Sequence, residues 1–88
     1  MAQVYDVGVQ IHVCGGPIAT AAALQVEAAI PNFTIHEEHN ANLLSKFKNS
    51  GKYFYKPAGG FYMIPELPGI GQEMSEEEMA TAKKVIIE

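Results

Sequence analysis

Arginine is absent from this 88-residue chain, and cysteine occurs once, at Cys14. A lone thiol excludes a disulfide within the chain and any zinc site built from several thiolates. Charge is sparse, at 18% of residues, and ten acids against six lysines leave a net charge of −4. That balance, without a single arginine, argues against a nucleic-acid or membrane-surface partner. Long apolar runs are also missing. The most apolar stretch, Pro17 to Ile30, is broken by Thr20, Gln25 and Glu27 and is too short to span a bilayer. Asp6 comes before the first lysine, Lys46, so the N-terminus lacks the basic region of a signal peptide. A cytoplasmic, reducing compartment is the expectation.

The chain does have the apolar content of a globular protein, with 48% hydrophobic residues. A chain this short buries only roughly 60–65% of its unfolded surface, so its own core is marginal. Val7, Val9, Ile11 and Val13 alternate with Gly8, Gln10 and His12, the period of a strand with two unlike faces. Cys14-Gly15-Gly16 breaks it, and Pro17 is suited to the first position of a helix, where its missing N–H is no loss. The alanine-rich run to Ile30 favours helix and close packing, with Thr20 and Glu27 expected to face solvent. Pro31-Asn32 ends it, and Phe33 to Glu38 reads as a second strand. Strand, helix and strand in so short a span form a βαβ unit, with parallel strands and a right-handed crossover.

The rest is less regular. Leu43 to Phe47 is a candidate short helix, and Phe61 to Ile64 a candidate strand bounded by Pro65. Ser75 with Glu78 reads as a capping box opening a last helix to about Ile87, with Lys83 and Lys84 near its negative end. The organisation expected is one partial domain over 1–88, a βαβ unit at 7–38 and an extension at 39–88. Parallel strands need helices on both faces or a closed barrel, and one helix supplies neither.

Few residues offer chemistry. His12 stands at the C-terminal end of the first strand, where parallel α/β arrays assemble their sites. An imidazole there can exchange a proton near neutral pH, or can simply close the strand with a hydrogen bond. His36-Glu37-Glu38-His39 is the densest polar cluster. Its histidines are three apart rather than four, so it misses the zinc-protease spacing. On a strand, Glu37 and His39 share one face and His36 and Glu38 the other, which leaves at most a bare two-residue metal site that ligand count disfavours. If Phe33 and Ile35 point inward, Glu37 lies at the inner rim. Lys46, Lys48, Lys52 and Lys56, interleaved with Phe47, Tyr53, Phe54 and Tyr55, look superficially like a nucleic-acid patch. The overall acidity favours a solvated loop with inward aromatics instead. Gly15-Gly16 before a helix is weak support for an anion site, and Cys14 has no adjacent base in sequence.

His12-Val13-Cys14-Gly15-Gly16-Pro17-Ile18-Ala19, Leu24 to Phe33, Ile35-His36-Glu37, and the later Gly60-Phe61-Tyr62, Pro65 and Leu67 to Gly71 together resemble the enolase superfamily. The resemblance is closest to the mandelate racemase subgroup and its acid-sugar dehydratases of the galactonate dehydratase type. It implies an α/β fold, the C-terminal fragment of a TIM-like (β/α)7β barrel. Val7 to His12 would be strand 7, Phe33 to Glu38 strand 8, and the remainder a return segment to a capping domain. Met1 would then be an internal methionine of a longer ancestor, since a barrel needs about 250 residues.

By the same resemblance, the parent reaction removes the proton next to a sugar-acid carboxylate and then expels the β-hydroxyl, through an enediolate held by Mg2+. His12 matches the general acid or base of strand 7, and Glu37 the strand-8 glutamate near the substrate carboxylate. The three acidic magnesium ligands and the other base belong on strands outside this chain, so no metal is expected to bind it alone and the isolated chain is expected to be inactive. Racemase or cycloisomerase chemistry would use the same two residues. The alternative expectation is a non-catalytic protein that self-associates to cover its open strand edges. The expected partners are accordingly another copy or the missing barrel portion.

Overall fold

Alternation and turn chemistry place the first three elements where the sequence expects them. In the computed structural model, which describes residues 1–44, 47 and 49–87, β1 spans Val9–Val13, helix α1 Pro17–Ala29 and β2 Phe33–Glu38. The strands pair in parallel as a two-stranded sheet, with Ile11 opposite His36, His12 opposite Glu37 and Val13 opposite Glu38. β1 starts two residues later than expected. Ahead of it, Asn32 ties down the chain by donating its side-chain amide to the Val7 carbonyl at 2.9 Å, and accepting from Val9 N–H at 2.8 Å.

Gly16 caps α1 with φ of +81°, a conformation that favours glycine, and its carbonyl accepts the Thr20 N–H at 3.0 Å. Pro17 occupies the first turn, as expected. The helix covers one face of the sheet, and Val13, Ala21, Ala23 and Leu24 are buried. Thr20 and Glu27, expected to face solvent, are buried as well, at 5% and 6% exposure. They turn inward because polar partners on β2, His36 and Glu38, stand on the face that α1 covers. The opposite sheet face is open, and Phe33 and Ile35 are exposed on it.

The extension is held by loops rather than sheet. Expected as a strand, residues 61–64 form none. Ala58 and Phe61 exchange both backbone hydrogen bonds, at 2.8 and 3.1 Å, around Gly59 and Gly60 at positive φ. This tight turn ends the pairing, and Met63 beyond it is exposed. Of the helix expected at Leu43 to Phe47, Leu43 closes a 3-10 turn, Asn40–Leu43, and Phe47 is helical; residues 45, 46 and 48 lie outside the described residues. A similar turn spans Ala2–Tyr5. Gln25 donates to the Pro65 carbonyl at 2.9 Å and Tyr55 to the Gly71 carbonyl at 2.6 Å, tying this half to α1 and to itself.

The last helix, α2, covers only Glu76–Thr81. Ser75 caps it as expected, accepting from the Glu78 N–H at 3.2 Å. It stops six residues short of Ile87. The Thr81 hydroxyl turns back on the Glu77 and Glu78 carbonyls, and Ala82 is extended. Lys83 and Lys84 therefore lie past the helix end instead of in its last turn. No helix among the described residues is long and apolar enough to cross a membrane.

Candidate functional site

In a parallel pair, residues in register point to the same face. His12 and Glu37 are in register and stand on the open face, with the His12 Nδ1 3.1 Å from Glu37 Oε1. Gln10, two residues before His12, donates its amide to Glu37 Oε2 at 3.0 Å. Both carboxylate oxygens are thus engaged. The hydrogen bond with His12, followed by that from Gln10, holds the Glu37 carboxyl below the usual 4.5. With Nδ1 turned to the carboxylate, Nε2 is the ring nitrogen left to exchange a proton on the open face. The two site residues singled out from sequence therefore meet, and Gln10, to which the sequence reading gave no role, joins them. Its signal was present in the alternation, which puts it on the His12 face.

The other face of β2 carries a second constellation. His36 Nδ1 lies 2.7 Å from Glu27 Oε2 on α1, and its Nε2 lies 3.0 Å from Glu38 Oε2. Glu38 also accepts from the Thr20 hydroxyl at 3.2 Å and from the Tyr62 phenol at 3.1 Å. The Tyr62 ring meets His36 edge-on at a centroid distance of 5.0 Å. The tetrad His36 to His39 thus divides between faces as strand geometry requires, except that His39 falls beyond β2, its N–H bonded to the Val13 carbonyl at 3.0 Å.

The other sequence candidates go elsewhere. Cys14 is exposed. Lys52 pairs with Glu73 at 3.0 Å and lies 5.6 Å from the Tyr53 ring centroid, while Lys46 and Lys48 are outside the described residues. No group of three or more His, Cys, Asp or Glu side chains among the described residues could hold a metal ion. A hard divalent cation such as magnesium takes several oxygen ligands, so the residues described here do not fit a magnesium site.

The family model described as "Enolase C-terminal domain-like" matches residues 1–78. The chain belongs to the enolase superfamily. Within it the chain falls in the mandelate racemase/muconate lactonizing branch, related to galactonate dehydratase-like proteins. It is 38% identical over 86 residues to a D-galactonate dehydratase of Cronobacter sakazakii, a match covering 90% of this chain and 22% of that protein. A D-galactonate dehydratase of Ralstonia pickettii is 36% identical over 83 residues, covering 86% and 21%. The crystal structure of an enolase superfamily member from Salmonella Typhimurium superposes with a TM-score of 0.94 at 55% identity, covering 99% of this chain and 22% of that one. This superfamily chain thus spans about a fifth of the length of the relatives it matches. The two strands and two helices given above, counted among the described residues, are consistent with part of the superfamily's TIM-barrel-like domain.

Proposed function

We propose that this chain supplies one wall of the active site of a magnesium-dependent acid-sugar dehydratase of the galactonate type, with His12 as general acid or base and Glu37 positioning the substrate carboxylate. The observation that carries the reading is the pairing of His12 with Glu37 on the open face of two parallel strands. Both lie toward the C-terminal ends of those strands, where barrel enzymes place their chemistry. In this reading residues 7–38 are strand 7, helix 7 and strand 8 of the barrel, and 39–88 return toward a capping domain. A magnesium ion would be held by donors outside this chain and would supply electrostatic stabilisation to the reaction. What this chain contributes is a proton at His12 Nε2, with the ring held by Glu37 and the carboxylate held in turn by Gln10.

The test is a chimera in which this chain replaces the matching segment of the Cronobacter D-galactonate dehydratase. Magnesium-dependent dehydration of sugar acids should survive the exchange. His12→Asn should then lower kcat by about 10²–10⁴, the range of a general acid–base residue, and Glu37→Gln should weaken substrate binding. A folded chimera that dehydrates equally well with His12→Asn sinks the assignment.

One observation favours a second reading, a non-catalytic protein that self-associates. The chain exposes 6761 Å², against about 5,100 Å² for a folded monomer of its mass. Under this reading the chimera is inactive while the chain alone forms a defined oligomer.

A further inference from the structure

Outside the His12 site, the largest investment of buried polar groups is around His36. Its side chain is 10% exposed, and those of Glu27 and Glu38 are 4% and 9%. Each ring nitrogen faces a carboxylate oxygen, at 2.7 and 3.0 Å. A neutral imidazole has one N–H and can satisfy only one of them; the imidazolium satisfies both. Glu27 sharpens the point. Among the described residues its Oε1 is buried without a hydrogen-bond partner, so there the bond from His36 to Oε2 is what compensates that carboxylate. Losing the second ring proton would strand a buried charge.

The cluster also joins three parts of the chain that share no sheet. Glu27 comes from α1, His36 and Glu38 from β2, and Tyr62 from the turn that follows Gly60. These are the titratable groups facing the ring from each element packed on it; Thr20 of α1 adds a neutral hydroxyl to Glu38. Burial keeps the Tyr62 phenol far above the ordinary tyrosine range, so it stays a donor throughout.

We infer that His36 is a proton-operated clamp, doubly protonated in the folded chain, that fastens β2 to α1 and to the Tyr62 turn and releases them when its proton is lost. Burial by itself would lower the His36 pKa, but the hydrogen bonds to Glu38 and Glu27 and their charges outweigh it, and the net shift is upward from 6.5. A raised folded-state value means that the stabilisation is complete below about 6.5, the unfolded value, and is lost as pH rises through the folded one. This inference does not depend on the catalytic reading, because the clamp lies on the face of β2 opposite His12 and Glu37.

The experiment is an NMR titration of the full chain between pH 5.5 and 9, in whatever assembly it forms, with the His36 ring assigned by His36→Gln. Imidazolium nitrogen shifts are expected at pH 6, with a midpoint above 6.5. The amides of residues 58–62 should move with that midpoint, and His36→Gln should abolish their movement. Glu27→Gln should lower the His36 midpoint by about one unit, a tenfold loss of proton affinity. A midpoint at or below 6.5, including that of an unfolded chain, overturns the clamp, as does a Tyr62 turn indifferent to the titration.

Discussion

Glu37 and His36 are neighbours in sequence and opposites in environment, and that difference decides what their hydrogen bonds are worth. Glu37 is nearly half exposed, so water screens its contacts and the pair with His12 contributes orientation more than stability. Its lowered pKa means that the arrangement favours the folded state above the ordinary glutamate value and loses that preference as pH falls. His12→Ala should raise the Glu37 pKa toward 4.5, and Gln10→Leu should raise it by less, because the His12 bond is the larger cause. Carbon NMR of the Glu37 carboxyl through an acid titration reads both, and a midpoint unmoved in either variant would refute the coupling. The juxtaposition was legible in the sequence. Alternation puts Gln10 and His12 on one face, and parallel pairing brings Glu37 to it. The His36 clamp was not legible. Helical polar residues read as solvent-facing unless a buried partner is known, and the partner of Glu27 sits on a strand beyond the helix end.

At the scale of elements, the βαβ unit follows from local rules, and the extension follows from a side chain imitating backbone. Gln72 is 8% exposed; its amide donates to the Tyr53 carbonyl at 2.6 Å and its carbonyl oxygen accepts the Tyr53 N–H at 3.0 Å. Backbone bonds from Lys52 to Glu73 at 2.9 Å and from Ser75 to Ser50 at 2.9 Å continue the same lacing on either side. Gln72 therefore supplies a rung that neither segment has the length to make as a strand. Gln72→Leu removes it and leaves both backbone groups of the half-buried Tyr53 to find water, at about 0.5–1.5 kcal/mol per hydrogen bond lost. Amide exchange at Tyr53 should accelerate by an order of magnitude or more, while exchange in α1 stays as it was. Unchanged exchange at Tyr53 would mean that the rung holds nothing. No periodic pattern announces such a contact, and residues 61–64 read as strand for a separate reason. Apolar content and a bounding Pro65 satisfy the local rule, but pairing needs a neighbour, and the turn at Ala58 to Phe61 ends it. The helix at Ser75 was legible at its start, where a cap is a local device. Its end was not, because Val85, Ile86 and Ile87 look like a continuing apolar face yet stand exposed.

The whole molecule is more open than its composition leads one to expect. Its radius of gyration is 14.8 Å, where a self-contained chain of this length would have about 12 Å. The surplus surface, roughly 1,700 Å² over the monomer expectation, is about twice what one partner contributes to a standard interface. Much of it is apolar: Phe33 and Ile35 on the open sheet face, Phe61 and Met63 beside the turn, and Val85 to Ile87 at the end. Among the described residues the sheet has two strands, and the edges of so narrow a sheet recruit others. This superfamily chain spans about a fifth of the length of the relatives it matches. Light scattering behind size exclusion should accordingly give a mass at least twice 9.6 kDa. Adding the part of the Cronobacter relative that this chain does not match should convert that species into a one-to-one complex, if the surplus surface is a barrel face. An oligomer that ignores the added piece favours self-association as the end in itself. A monodisperse monomer with a cooperative melt defeats both, because the core that holds Val13, Ala21, Ala23 and Leu24 would then be enough.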